Sequence, residues 1–345
     1  MHFSSISAPS IKVPAPGSIC RLLFAVAFRL AASRFPLPTS PDVSSPTRRC
    51  TMKDLRGANA VVTGASKGIG VYIAKTLAGR GVNVALAARS AEKLEETRRA
   101  CEALGVRAIA VPADVSSLDD LRRLVETARR DLGPIDLLVN NAGIELTASV
   151  VDQSFEQVDD IVRTNLSGPI WLTKLVLPEM IERRRGVVVQ VSSLAGKSGE
   201  PYGAIYSATK AGLIGLTSAL NMELDGTGVR CAAVCPGYVG EAGMWVTQGL
   251  KAPAMLKEVP AQKVADAVMK AIDGAPLAYV TSGPIRPLLA LSELWPGLNL
   301  WITRRLGVIK MMRAQAERLQ AGDDARARVG AAAGAGHRHG GSHDA

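Results

Sequence analysis

The chain has 345 residues, 47% of them hydrophobic, with 33 glycines and no apolar run that reaches the roughly eighteen residues of a membrane span, a composition that fits an α/β protein with a sizeable core. Its net charge of +10 sits at the ends: residues 1–52 carry +5, residues 284–345 carry +4 and the middle only +1, which argues against a nucleic-acid-binding core. His2, His337, His339 and His343 also lie in the terminal segments, so a Ser-His-Asp hydrolase, a His-dependent cysteine enzyme and a His-ligated metal centre are all disfavoured.

Residues 1–52 are rich in Ser, Pro and Arg, with one short apolar run from Leu22 to Phe28. We expect an unstructured or targeting extension, or a translation start at Met52. From Asn59 a repeated pattern begins. Asn59–Thr63 reads as a buried strand, Val71–Arg80 as a helix, Val82–Ala87 as a strand and Glu92–Leu104 as a helix. Arg107–Pro112 is the third strand, Leu118–Leu132 the third helix and Ile135–Val139 the fourth strand. The pattern continues with a helix over Leu166–Arg184, the strand Val187–Val191, a helix around Tyr206 and the strand Val229–Val234. The helix Ala261–Ile272 and the strand Leu277–Val280 complete it.

Apolar strands alternating with amphipathic helices imply right-handed βαβ units and a parallel sheet covered on both faces, a doubly wound Rossmann-type fold. No linker interrupts 53–283, so we expect one domain there. Residues 284–320 form an apolar, basic helical extension with Trp295 and Trp301, and 321–345 read as a disordered tail. The extension is expected to pack its apolar face on the domain or a partner subunit, with peripheral contact to a membrane surface as the alternative. Cys231 and Cys235, in an apolar strand, lack the spacing of a zinc site and read as buried free thiols.

Acid–base chemistry in a core without histidine must come from other groups. Tyr206 and Lys210 are four residues apart on a helix, with Cβ atoms roughly 5–6 Å from each other. A cation beside a phenol favours the phenolate and lowers its pKa, which makes Tyr206 a candidate general acid/base. The turn after the first strand, Thr63-Gly64-Ala65-Ser66-Lys67-Gly68-Ile69-Gly70, opens a helix, where glycines let backbone N–H groups approach a pyrophosphate. The second strand ends Ala87-Ala88-Arg89. No carboxylate stands there for a ribose 2′-hydroxyl, whereas Arg89 and Lys67 supply cations for a 2′-phosphate, so NADP is expected over NAD.

Over roughly Met52 to Gly283 the sequence resembles the short-chain dehydrogenase/reductase family. The glycine turn, Asn140-Asn141-Ala142-Gly143 and the Tyr206/Lys210 pair match the family's motifs in order. The resemblance implies a catalytic set of Asn165, Ser193, Tyr206 and Lys210. Ser193 would orient the substrate oxygen, Tyr206 exchange its proton, Lys210 lower the tyrosine pKa and hold the nicotinamide ribose, and Asn165 hold a water leading to Lys210. It also implies cofactor contacts from Gly64, Ser66, Lys67, Gly68, Ile69, Gly70, Arg89, Asp114, Val115, Asn140, Ala142 and Gly143. Tyr206, Lys210, Pro236, Gly237 and Val239 complete that set, with Ser193 and Tyr206 binding substrate.

One segment departs from the family pattern. After Val239 the chain reads Gly240-Glu241-Ala242-Gly243-Met244, where Glu241 would repel a pyrophosphate; the apolar Trp245, Val246, Leu250, Met255 and Leu256 follow in the position of a substrate lid. The reading is an NADP-dependent reductase or dehydrogenase of a hydrophobic carbonyl or alcohol, most similar to 3-oxoacyl reductases and expected in the cytoplasm. A hydroxysteroid or retinoid-like substrate, or a catalytically silent NADP-binding sensor or scaffold, are the alternatives. A nucleoside-binding methyltransferase would share the sheet without needing Tyr206 and Lys210. The family resemblance further implies a homodimer or homotetramer built through the helices around Asn165 and Tyr206.

Overall fold

The computed structural model describes residues 54–244, 257–283 and 285–321, all within one compact unit. The expectations for 1–52, for the lid residues Trp245, Val246, Leu250, Met255 and Leu256, and for 322–345 lie outside the described residues.

Seven strands form one parallel sheet: β1 (Asn59–Thr63), β2 (Asn83–Ala88), β3 (Ala108–Pro112), β4 (Leu137–Asn140), β5 (Gly186–Val191), β6 (Val229–Pro236) and β7 (Leu277–Val280). Their order is β3-β2-β1-β4-β5-β6-β7. Every residue of β1, β2, β4 and β5 is buried, which is why these segments read as continuous apolar runs rather than alternating ones. One face is covered by α1 (Ile69–Ala78), α2 (Ala91–Glu102) and α8 (Ala261–Ile272), through side chains such as Ile73, Leu77, Leu94 and Val268. The other is covered by α3 (Leu118–Leu132), α5 (Gly168–Glu182) and α7 (Ala204–Glu223), through Leu121, Leu124, Leu172, Met180 and Leu220. This is the doubly wound arrangement that the alternation predicts.

Three short elements between β4 and the Tyr206 helix escaped the pattern. Helix α4 (Phe155–Val162) is mostly exposed and buries only Ile161; its start is set instead by a capping box between Ser154 and Gln157. A π-helical turn over Arg163–Ser167 then leads into α5, so the helix expected from Leu166 begins two residues later, after this widened turn. A single-turn helix, α6 (Ala195–Ser198), follows β5.

The extension divides in two. Helices α9 (Arg286–Leu294) and α10 (Pro296–Arg305) come first, and α9 buries none of its residues. The last helix, α11 over 308–321, instead packs Val308 and the fully buried Met312 against Tyr202 and Tyr238. Docking on the domain therefore holds for α11, while large apolar side chains of α9 and α10 stay exposed. Among the described residues no helix is long and apolar enough to cross a membrane.

Candidate active site

Strand order reverses between β1 and β4, and the crevice outside the carboxyl ends of the strands opens there. Four loops meet at it. After β1 comes the glycine turn, with Gly64 at φ 67 and Gly68 at φ 64, conformations that L side chains rarely adopt. A Cβ on Gly70 would overlap the Gly64 carbonyl, so the turn closes on itself only because Gly70 has none. Thr63 fastens this turn to the loop after β4: its hydroxyl accepts from Asn141 N at 3.0 Å and Ala142 N at 3.1 Å, while Asn141 Nδ2 donates to Thr63 O at 2.9 Å.

Helix α1 starts at Gly68 with no side-chain cap and no acidic residue in its first turn. Its leading N–H groups and positive dipole end are thus left for an anion, and the described residues fit a pyrophosphate-bearing cofactor. Lys67 and Arg89 are both exposed, and neither forms an ion pair among the described residues.

The candidate catalytic side chains converge one strand further on. Asn165 is fully buried in the π turn; its Oδ1 accepts from Ile144 N at 2.8 Å and its Nδ2 donates to Ile144 O at 2.7 Å. That clamp fixes the loop of Gly143, where a Cβ would come within 3.3 Å of Asn165 Oδ1 and 3.4 Å of Lys210 Nζ. Lys210 Nζ donates to Val191 O at 2.9 Å and lies 5.5 Å from the centre of the Tyr206 ring, the shared face that the four-residue spacing predicts. Ser193 follows β5 and hydrogen-bonds the Tyr206 phenol.

The protonation states correct one expectation. Burial, and next the nearby Glu145 carboxyl, push the Tyr206 phenol well above its ordinary pKa, where a lowering by Lys210 was expected. Burial also pulls the Lys210 ammonium down to about 8. Desolvation penalises both charged forms and here outweighs the attraction between them.

Two residues of the expected cofactor set turn their side chains into the core. The Asn140 side chain is buried in the sheet, where Nδ2 meets Gln190 Oε1 at 3.1 Å and Thr173 Oγ1 at 3.2 Å and ties β4 to β5 and α5. Val115 likewise packs its side chain into the core beside α3 and α5. Asp114 stays at the end of β3, its Oδ1 accepting from Ser116 N at 2.9 Å. Glu241 is engaged elsewhere, accepting from Ala261 N at 3.3 Å at the start of α8. Gly237 N donates to Val280 O at 2.9 Å and Leu194 N to Pro236 O at 2.9 Å, which joins the loop after β6 to that after β5. Val239 forms a parallel bridge with Val259.

Sequence reasoning missed a polar group beside Tyr206. The Glu145 and Glu200 carboxyls hydrogen-bond each other, and Tyr238 OH donates to Glu200 Oε1 at 3.2 Å. Burial raises the pKa of both carboxyls. Next to them Tyr202 holds a left-handed φ of 62, fixed by Ala148 N donating to its carbonyl at 2.9 Å and by Arg313 Nε donating to its hydroxyl at 2.7 Å. Glu145 directly follows the Asn-Asn-Ala-Gly-Ile run, and that adjacency was the signal available in the sequence.

Residues 58–251 match the family described as short chain dehydrogenase. The chain is 41% identical over 272 residues to the ketoacyl reductase HetN of Nostoc sp., covering 77% of this chain and 95% of that one. It is 37% identical over 207 residues to a 3-oxoacyl-[acyl-carrier-protein] reductase of Staphylococcus epidermidis, covering 59% and 84%. Among solved structures, an actinorhodin polyketide ketoreductase variant crystallised with NADPH superposes with a TM-score of 0.61 at 33% identity, over 66% of this chain and 96% of that one. An NAD+-bound xylitol dehydrogenase superposes at 0.62 and 26%, over 67% and 100%. With this sheet, this crevice and these matches, the chain is an oxidoreductase that belongs to the short-chain dehydrogenase family.

Proposed function

We propose that the protein is an NADP-dependent reductase of a hydrophobic ketone, most similar in substrate to reductases of 3-oxoacyl chains, with Ser193, Tyr206, Lys210 and Asn165 as its catalytic set. The observation that carries the reading is the convergence of those four side chains one strand beyond the point where the sheet order reverses. The α1 N-terminus and the glycine turn would hold the pyrophosphate, and Arg89 with Lys67 the 2′-phosphate. When bound, the cofactor supplies the hydride.

As negative charge builds on the substrate carbonyl oxygen, Ser193 Oγ donates a hydrogen bond and Tyr206 gives up its proton. A phenol kept neutral by burial enters this step already carrying the proton that it gives. Lys210, held by Val191 O, stands beside the ring where a phenolate would form and stabilises it. Asn165 acts by pinning Ile144, which keeps the loop of Gly143 against Lys210. The ketoacyl reductases among its relatives support the substrate class, and the missing carboxylate after β2 supports NADP.

The test is loss of NADPH absorbance in the presence of 3-oxoacyl thioesters of increasing length, steroid ketones and simple aldehydes, repeated with NADH. We expect turnover with NADPH that rises with acyl length and a far lower kcat/KM with NADH. Tyr206→Phe should lower turnover by about a hundredfold to ten-thousandfold while NADPH still binds. Comparable rates with both cofactors would remove the NADP assignment, and an active Tyr206→Phe enzyme the catalytic one.

A further inference from the structure

Helices α9 and α10 carry an apolar surface that the rest of the described chain does not cover. Leu288, Leu291 and Leu294 recur every three residues along α9, which places them along one side of the helix. Leu294 is 84% exposed, Trp295 66% and Trp301 63%. A cluster of large side chains this open to water is costly and marks a contact surface.

Charge selects the partner. Arg286, Arg304, Arg305 and Lys310 flank the cluster, all exposed, and between residues 285 and 316 only Glu293 is acidic. A second copy of the chain would meet this surface through a two-fold contact, bringing the same cations together. An anionic lipid surface neutralises them instead, and it accepts leucine and tryptophan at the boundary between headgroups and acyl chains. The surface is also held close to the site. Asn299 Nδ2 donates to Ser198 O in α6, and Arg313 of α11 reaches Tyr202, so the middle and the last helix of the extension are tied to the segment between Ser193 and Tyr206.

We propose that α9 and α10 dock on a bilayer surface containing anionic phospholipid, with Leu294, Trp295 and Trp301 entering the interface and Arg304 and Arg305 meeting the headgroups. Docked this way, the loop that carries Ser193 lies beside the membrane, where a lipophilic ketone is concentrated. The binding test below needs no turnover, so it stands or falls separately from the proposed activity.

The experiment is sedimentation of the full chain with vesicles of phosphatidylcholine alone or mixed with phosphatidylglycerol, at low and high salt. We expect binding to the anionic vesicles that weakens as salt screens the charges. Leu294→Ser/Trp295→Ser/Trp301→Ser should reduce the partition coefficient by about tenfold or more. Its three side chains are exposed, so an unchanged circular dichroism spectrum and melting temperature would be expected. Arg304→Gln/Arg305→Gln should weaken binding and flatten its salt dependence. Three outcomes would overturn the proposal: no binding to either vesicle, a triple variant that binds like the parent chain, or a parent dimer that the triple variant converts to monomer without any vesicle binding.

Discussion

Glu145 and Glu200 stand close enough to hydrogen-bond beside Tyr206, Lys210 and Tyr238, and two carboxyls at that distance do not both ionise cheaply. Burial raises the Glu200 carboxyl from its ordinary 4.5 to about 7. Between those two values the folded state holds more protons than the unfolded one, so this pair lowers stability as pH rises through the window. Lys210 works in the opposite sense but higher, between about 8 and its ordinary 10.5. Glu200→Gln, which keeps an acceptor for Tyr238 and removes the charge, should therefore flatten the fall in stability between pH 5 and 7. Denaturant midpoints measured across that range check it, and parallel profiles for the two proteins would contradict the raised Glu200 pKa. The Tyr206/Lys210 pair itself was legible from its spacing. The sign of the Tyr206 shift was not, because desolvation depends on what the rest of the chain lays over the ring.

At the scale of the element, glycine shows how local preference and tertiary contact compete. Gly70 and Gly215 both lie in helices, α1 and α7, where alanine is intrinsically better by about 1 kcal/mol. Around Gly215 nothing stands within 4 Å of an added Cβ, so Gly215→Ala should stabilise by up to that amount. At Gly70 the new Cβ would overlap the Gly64 carbonyl, which is backbone and cannot swing aside; overpacking of this kind costs about 1–3 kcal/mol. We expect Gly70→Ala to lose stability and to weaken cofactor binding at the α1 N-terminus. Thermal melts of the two variants with and without NADPH compare them directly, and a stabilised Gly70→Ala protein would refute the close approach. Helices α3 and α8 were legible from apolar periodicity to their terminal residues, whereas α4 was not, since it buries one side chain and has almost no periodic signal to read.

The whole molecule joins a two-faced core to an extension that returns to the active-site side. Met312 is fully buried between Tyr202 and Tyr238, a contact between parts of the chain more than seventy residues apart. Met312→Ala should destabilise by about 2 kcal/mol or more, since the lost apolar contact leaves a cavity. A calorimetric melting temperature lowered by several degrees would show it; an unchanged one would mean that α11 adds little to the fold. By itself the sequence determined the parallel sheet, the glycine turn and the Tyr206/Lys210 spacing, because each is encoded by residues close together in the chain: a buried run, a positive φ, a four-residue step. Only the tertiary structure decided that Asn140 faces the core, that Glu241 serves α8, that Glu145 meets Glu200, and that α11 packs while α9 and α10 do not. Those outcomes depend on which distant segments share one volume of low dielectric, and residue order alone does not state that.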